Sequence, residues 1–212
     1  MPTIAQARLW YTSADAVHDF DHVLRVYWTA DHLAQLEGAD LHIVHAAALL
    51  HDAEGAAPGE GSTRASHQLA SADLAARVLK EEGWPAERIA AVQHCIRAHR
   101  YRDNSEPPVT LEAKVLFDAD KLDVLGAIGA ARTIAYATLD GQPFYYPPSD
   151  KFMHSGQEEP GEPHSAYHEH LFKLRKVGER MFTAAAKAMA AERLAYLDAF
   201  FERLIQEWQG EL

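Results

Sequence analysis

Apolar residues recur at three- and four-residue spacing along most of the chain, and the alternation of a half-buried strand is nearly absent. Over residues 15–37 the repeat runs through Val17, Phe20, Val23, Leu24, Tyr27 and Leu33. This predicts a helix capped by Asp15 and stopped at Gly38. Residues 40–52, with LHIVHAAALLHD, predict a second helix that is apolar on most sides. Ser62 or Thr63 is expected to cap a third helix, ending near Glu82 with Gly83 as its stop. Pro85 opens a fourth, because a first helical turn tolerates proline. Thr110 caps the next, with a break expected near Gly126 and Gly129. Residues 140–164, rich in Pro and Gly, predict a long loop whose Phe144, Tyr145 and Tyr146 could stack on a base and cover a site. From 167 to 209 the pattern is helical again, and Leu194, Leu197, Phe201, Leu204 and Trp208 form one stripe. The expected fold is all-α: one domain over 1–212, a bundle of about seven to nine helices, with the 167–209 helices packing on the core.

Composition narrows the partners. The 212 residues carry a net charge of -11, and no block of basic residues interrupts it, so nucleic acid is not an expected partner. No apolar run approaches the ~20 residues of a membrane span. The single cysteine, Cys95, excludes an internal disulfide and suits a cytoplasmic location. The count of 13 histidines in an acidic chain points toward metal ligation.

His51 and Asp52 end an apolar helix just before a Gly/Pro-rich loop. Ionisable groups at the end of such a helix need a partner, because buried charge is costly. A plain helix-terminal His beside a capping Asp is the simpler alternative. His18 and His22 lie four apart and share a helix face, and Arg25 extends it. Later, DADKLD places Asp118, Asp120 and Asp123 inside an apolar helix. For Asp118 and Asp123, exposure or a salt bridge is the favoured reading.

In order and spacing these residues resemble the HD-domain phosphohydrolase superfamily: a His on one helix (His22), an adjacent His-Asp on the next (His51, Asp52) and an Asp on a later one (Asp120). DAVHDFDHVLRVY, STRASHQLA, AVQHCIRAHRY, TLEAKVLFDADKLDVLGAIGAAR and RMFTAAAKAMAAERLAYL are similar to a bacterial branch that includes nucleotide pyrophosphohydrolases. Where that branch usually carries a His, this chain has Glu169 between His168 and His170, and neither histidine is assigned a role.

The resemblance implies a metal-dependent phosphohydrolase in which His22, His51, Asp52 and Asp120 hold one divalent ion: Mn, Fe, Co, Ni, Zn or Mg. Such an N/O ligand set leaves open positions for water and a phosphoryl oxygen. Asp52 and His18 are the candidate catalytic residues. Arg25, Arg64, His94, His99 and Lys121 are candidate substrate contacts. The expected partner is a small phosphate ester or nucleotide, with a (deoxy)nucleoside triphosphate cleaved to monophosphate and pyrophosphate. A 5'-nucleotidase, a cyclic-nucleotide phosphodiesterase and a non-catalytic metal/nucleotide sensor are the alternatives.

Overall fold

The computed structural model describes residues 1–11, 20–54, 67–100 and 106–212. Among the described residues every regular element is a helix: α1 (Ile4–Ala7), α2 (Phe20–Glu37), α3 (Leu41–Leu50), α4 (His67–Glu81), α5 (Ala86–Ala98), α6 (Leu111–Leu122), α7 (Gly126–Leu139), α8 (Asp150–Ser155), α9 (Ala166–Phe172) and α10 (Ala184–Gln209), with 3-10 segments at Arg8–Trp10 and Leu174–Arg180. Of these, α1 and α8 lie where the sequence showed no helical repeat, being too short for one. The predicted caps at Asp15 and at Ser62 or Thr63 lie outside the described residues. No single described helix is long and apolar enough to cross a membrane.

The chain divides into two compact units, one of residues 1–121 with 181–186, the other of 122–180 with 187–212. In the first, α3 packs against α1, α2, α4 and α5. Its sequence explains this central place: Val44, Ala46, Ala47, Ala48, Leu49 and Leu50 are all buried, and the alanines let neighbouring helices approach closely. Asp40 caps its start by accepting from the N–H groups of His42 and Ile43 at 2.9 and 3.3 Å, and Arg88 of α5 clamps the same carboxylate. Under α3, Ala7, Phe20, Val23 and Leu49 form a small core with Ile4, Trp10 and Tyr11 against it. Thr110 caps α6 as expected, accepting from Ala113 N at 3.2 Å. Asp118 of α6 is wholly buried. It accepts from the N–H groups of Phe182 and Thr183 and from the Thr183 hydroxyl, at 2.7–2.9 Å. It is not exposed, and these contacts anchor a backbone turn.

In the second unit, the predicted break at Gly126 is real. Its φ is +71°, and a Cβ there would crowd Arg193, which donates to Leu122 O at 2.8 Å and so caps the end of α6. Asp123 pairs with Arg132, the salt bridge expected for it. The 140–164 stretch is more structured than a loop. Ser149 caps α8, and Glu162 accepts from Ser149 N and Oγ and from Glu159 N, all at 2.7 Å. Gly156 ends α8 at φ +70°, where a Cβ would collide with the Phe172 ring at 1.8 Å. Phe144 and Tyr146 are exposed, whereas Tyr145 packs on Tyr167 and Trp208. His168 and His170 are buried core residues: His168 sits between Ser165 and Glu162, and His170 stacks on Phe201 and reaches Asp198 at 2.8 Å. Of the predicted C-terminal stripe, Leu197 and Phe201 are buried, but Trp208 is 63% exposed.

Candidate metal centre

Four helices of the first unit deliver their polar side chains to one place. His22 lies near the start of α2, His51 caps α3 with Asp52 beside it, His99 caps α5, and Asp120 lies in the last turn of α6. His22 Nε2 stands 3.4 Å from Asp120 Oδ1 and 3.9 Å from Asp52 Oδ2. His51 Nε2 is 3.6 Å from Asp52 Oδ2, and the rings of His22 and His51 are 5.5 Å apart. The structure thus brings together all four residues that the sequence grouped.

The end of α3 explains how an adjacent His-Asp pair can serve one site. Side chains one residue apart on a helix diverge by about 100°. Here the helix stops at Leu50, and the last-turn carbonyls are filled by other groups. His51 Nδ1 donates to Ala48 O at 2.8 Å, the Tyr11 hydroxyl donates to Leu49 O at 3.1 Å, and Ala53 N donates to Leu50 O at 3.3 Å. His51 Nδ1 therefore carries the proton and Nε2 is left as a lone pair, the form that ligates a cation.

The electrostatics fit a cation. Burial pushes the His51 imidazole down to about 4; Asp52 opposes this, and His99 and His22 add to it. Burial alone would raise the Asp52 carboxyl, but the facing His51, His67 and His99 hold it well below the usual range. Asp120 is also held well below: burial raises it, and Lys121 and His22 outweigh that. Two ionised carboxylates thus face neutral imidazole. His51 Nε2 is buried and has no hydrogen-bond partner. Such an orphan is costly unless something binds it, so the donor set fits a divalent ion.

The other predicted residues distribute unevenly. His99, expected at the substrate, lies inside the cluster, 3.4 Å from Asp52 Oδ1. Its Nδ1 donates to Ile96 O at 2.6 Å, so its Nε2 also presents a lone pair, suited to a cation rather than to a phosphate. Lys121 pairs with Asp120, donates to His99 O at 3.3 Å and lies over the Phe117 ring. His94 is engaged elsewhere, with Nδ1 2.5 Å from Glu106 and Nε2 accepting from Val109 N at 3.2 Å. Arg25 is half-buried on α2, one turn beyond His22, and already engaged. His18 and Arg64 lie outside the described residues.

Sequence reasoning missed His67. It opens α4, with Nε2 2.9 Å from Asp52 Oδ1, and with Asp52 and His99 it makes a second group at ligand spacing. STRASHQLA carried the residue, but a lone His at the start of a helix has no spacing partner in the sequence.

A model of the HD domain matches residues 19–125. Among solved structures, Bacillus subtilis YpgQ in complex with ADP is 30% identical, with 97% of each chain covered and a TM-score of 0.72. An HD-superfamily hydrolase from Bacillus thuringiensis is 30% identical over 97% of this chain and 94% of that one, with a TM-score of 0.71. A third, described as a predicted HD superfamily hydrolase from an uncultured Thermotogales bacterium, is 28% identical over 97% and 90%, with a TM-score of 0.67.

Proposed function

Because the chain belongs to the HD-domain family, we propose that it is a metal-dependent phosphohydrolase that cleaves a nucleoside triphosphate, deoxy forms included, to the monophosphate and pyrophosphate. One observation carries most of the reading: two imidazoles and two carboxylates on three helices converge within a few ångströms, with an unsatisfied His51 Nε2 among them. The ADP held by the YpgQ structure supports a nucleotide as the substrate class.

His22, His51, Asp52 and Asp120 would hold the ion. When bound, a divalent ion polarises the phosphoryl group and makes water more acidic. Asp52 orients the attacking water, since its carboxylate is kept ionised by the surrounding imidazoles. Lys121, whose ammonium pairs with Asp120 and donates to His99 O beside the cluster, is assigned to a phosphate of the substrate. Arg25 is the second described cation assigned to the polyphosphate, and Arg64 and His18 keep the roles read from the sequence. His94, with both ring nitrogens engaged, is left out of the substrate set. Cations at the leaving group stabilise the charge that builds on pyrophosphate, and a monophosphate forfeits them.

A screen of nucleoside mono-, di- and triphosphates against Mn, Co, Ni, Zn and Mg, with product identification, tests this. Triphosphates should be the best substrates and pyrophosphate the product. Faster turnover of monophosphates, with free phosphate as the only product, would make the protein a nucleotidase; saturable binding with no product would make it a sensor.

A further inference from the structure

α3 ends at Leu50, so the turn that carries His51 and Asp52 runs on without helix bonds to fix it. The Asp52 carboxylate is held only loosely by its own contacts. Its Oδ1 is a buried atom with no hydrogen-bond partner among the described residues. Its Oδ2 stands 3.6 Å from His51 and 3.9 Å from His22, too far for a hydrogen bond. The direction of this side chain therefore depends on the backbone to either side of it. On the entry side the Tyr11 hydroxyl donates to Leu49 O at 3.1 Å.

On the exit side one hydroxyl holds the chain. Ser71 Oγ accepts from Glu54 N at 3.1 Å and donates to Glu54 O at 3.4 Å. Both main-chain groups of Glu54, two residues after Asp52, are thus gripped by one side chain. Ser71 is wholly buried in α4, one turn beyond His67 on the same face. A hydroxyl inside a helix can return to the carbonyl four residues back. Thr133, Thr138 and Ser155 do so, to Gly129, Ile134 and Lys151. Ser71 gives its one proton to another segment instead. The helix behind it is braced, because Gln93 of α5 donates to Ala72 O at 3.1 Å, beside Ser71.

We propose that Ser71 is a positioning residue for the metal centre: its hydroxyl clamps the N–H and C=O of Glu54 and so holds Asp52 with its carboxylate toward His22 and His51. Ser71 itself touches neither ion nor substrate. This rests on the metal-site reading above and names the residue that keeps the His-Asp pair in place after its helix has ended.

Ser71→Ala deletes the hydroxyl and leaves a good helix former behind. In the metal-free full chain the Glu54 amide should then exchange with solvent about 5-fold faster or more, as the loss of one ordinary hydrogen bond implies. Mn affinity, by calorimetric titration of the full chain, should fall by about 10-fold, the lower end of what losing an outer partner costs a metal site. Ser71→Thr, which keeps the hydroxyl, should stay near wild type in both. Leu79→Ala, at a wholly buried position further along α4, should lower the melting temperature and leave Mn affinity as it was. An unchanged Glu54 amide or wild-type Mn affinity in Ser71→Ala would overturn the proposal. So would a folded Ser71→Thr that loses Mn as Ser71→Ala does, or an equal loss in Leu79→Ala. A wild-type chain that takes up no Mn would bring down the metal-site reading and the proposal with it. Mn uptake that depends on Ser71, in a chain that hydrolyses no nucleotide, keeps the proposal and loses only the phosphohydrolase reading.

Discussion

The Tyr11 hydroxyl donates to the carbonyl of Leu49 at 3.1 Å, two residues before His51. Burial, with Asp52 adding to it, raises its pKa well above the ordinary value, while the Asp52 backbone N–H opposes the rise, so it stays a donor. Tyr11 thus ties the N-terminal segment to the turn that carries both His51 and Asp52. Tyr11→Phe keeps the ring against Phe20 and removes this bond together with the contact to the Asp52 backbone N–H. We expect a loss of about 1 kcal/mol of stability, with weaker metal binding, measured by denaturation and by metal titration. Unchanged metal affinity would show that the turn holds its shape without the hydroxyl.

His51 should make the metal-free protein acid-sensitive in a defined window. Its pKa is about 4 when folded, against 6.5 as the ordinary value. Between these the unfolded chain binds a proton that the native state refuses, so stability falls as pH drops from 6.5 toward 4. The loss is on the order of 3 kcal/mol at about 1.4 per pH unit. Asp52 and Asp120, held well below the usual carboxylate range, lose their contribution only at still lower pH. Urea melts at several pH values should show the slope in wild type and a flatter one in His51→Gln.

Removing either carboxylate should abolish hydrolysis. Asp52→Ala and Asp120→Ala leave the histidines without the charge that balances a divalent ion, and turnover should drop at least to about one part in a thousand, comparable to other losses of electrostatic stabilisation. Both variants should remain folded by circular dichroism. Wild-type-like turnover in either would refute the ligand assignment.

Asp118 offers the contrast, since it lies two residues from Asp120 but points its oxygens at Phe182 and Thr183. Asp118→Ala strands the buried N–H and hydroxyl of Thr183 and the part-buried N–H of Phe182, which should cost roughly 2–4 kcal/mol. Metal affinity should be nearly unchanged in the fraction that folds. A variant with normal melting and lost metal binding would reverse the roles of the two aspartates.

The helical class, the stops at Gly38 and Gly83 and the break at Gly126 were legible in the sequence, because each depends on local periodicity or turn chemistry, while the grouping of His22, His51, Asp52 and Asp120 was legible only through the resemblance to the HD superfamily. The chain alone could not say what Asp118 does, since that depends on a turn more than sixty residues away. Nor could it order the histidines. His94 and His99 lie on the same helical stretch, yet one is tied to Glu106 and the other to the cluster around Asp52. His67 has no local partner and becomes part of the site only where α4 and α5 pack together. Sequence sets which groups can bind a cation; the partner on the far ring nitrogen, a backbone carbonyl for His51 and His99 or a guanidinium for His67, sets which of them presents a lone pair. That choice is tertiary because a histidine's tautomer follows whatever donor or acceptor the fold brings to it.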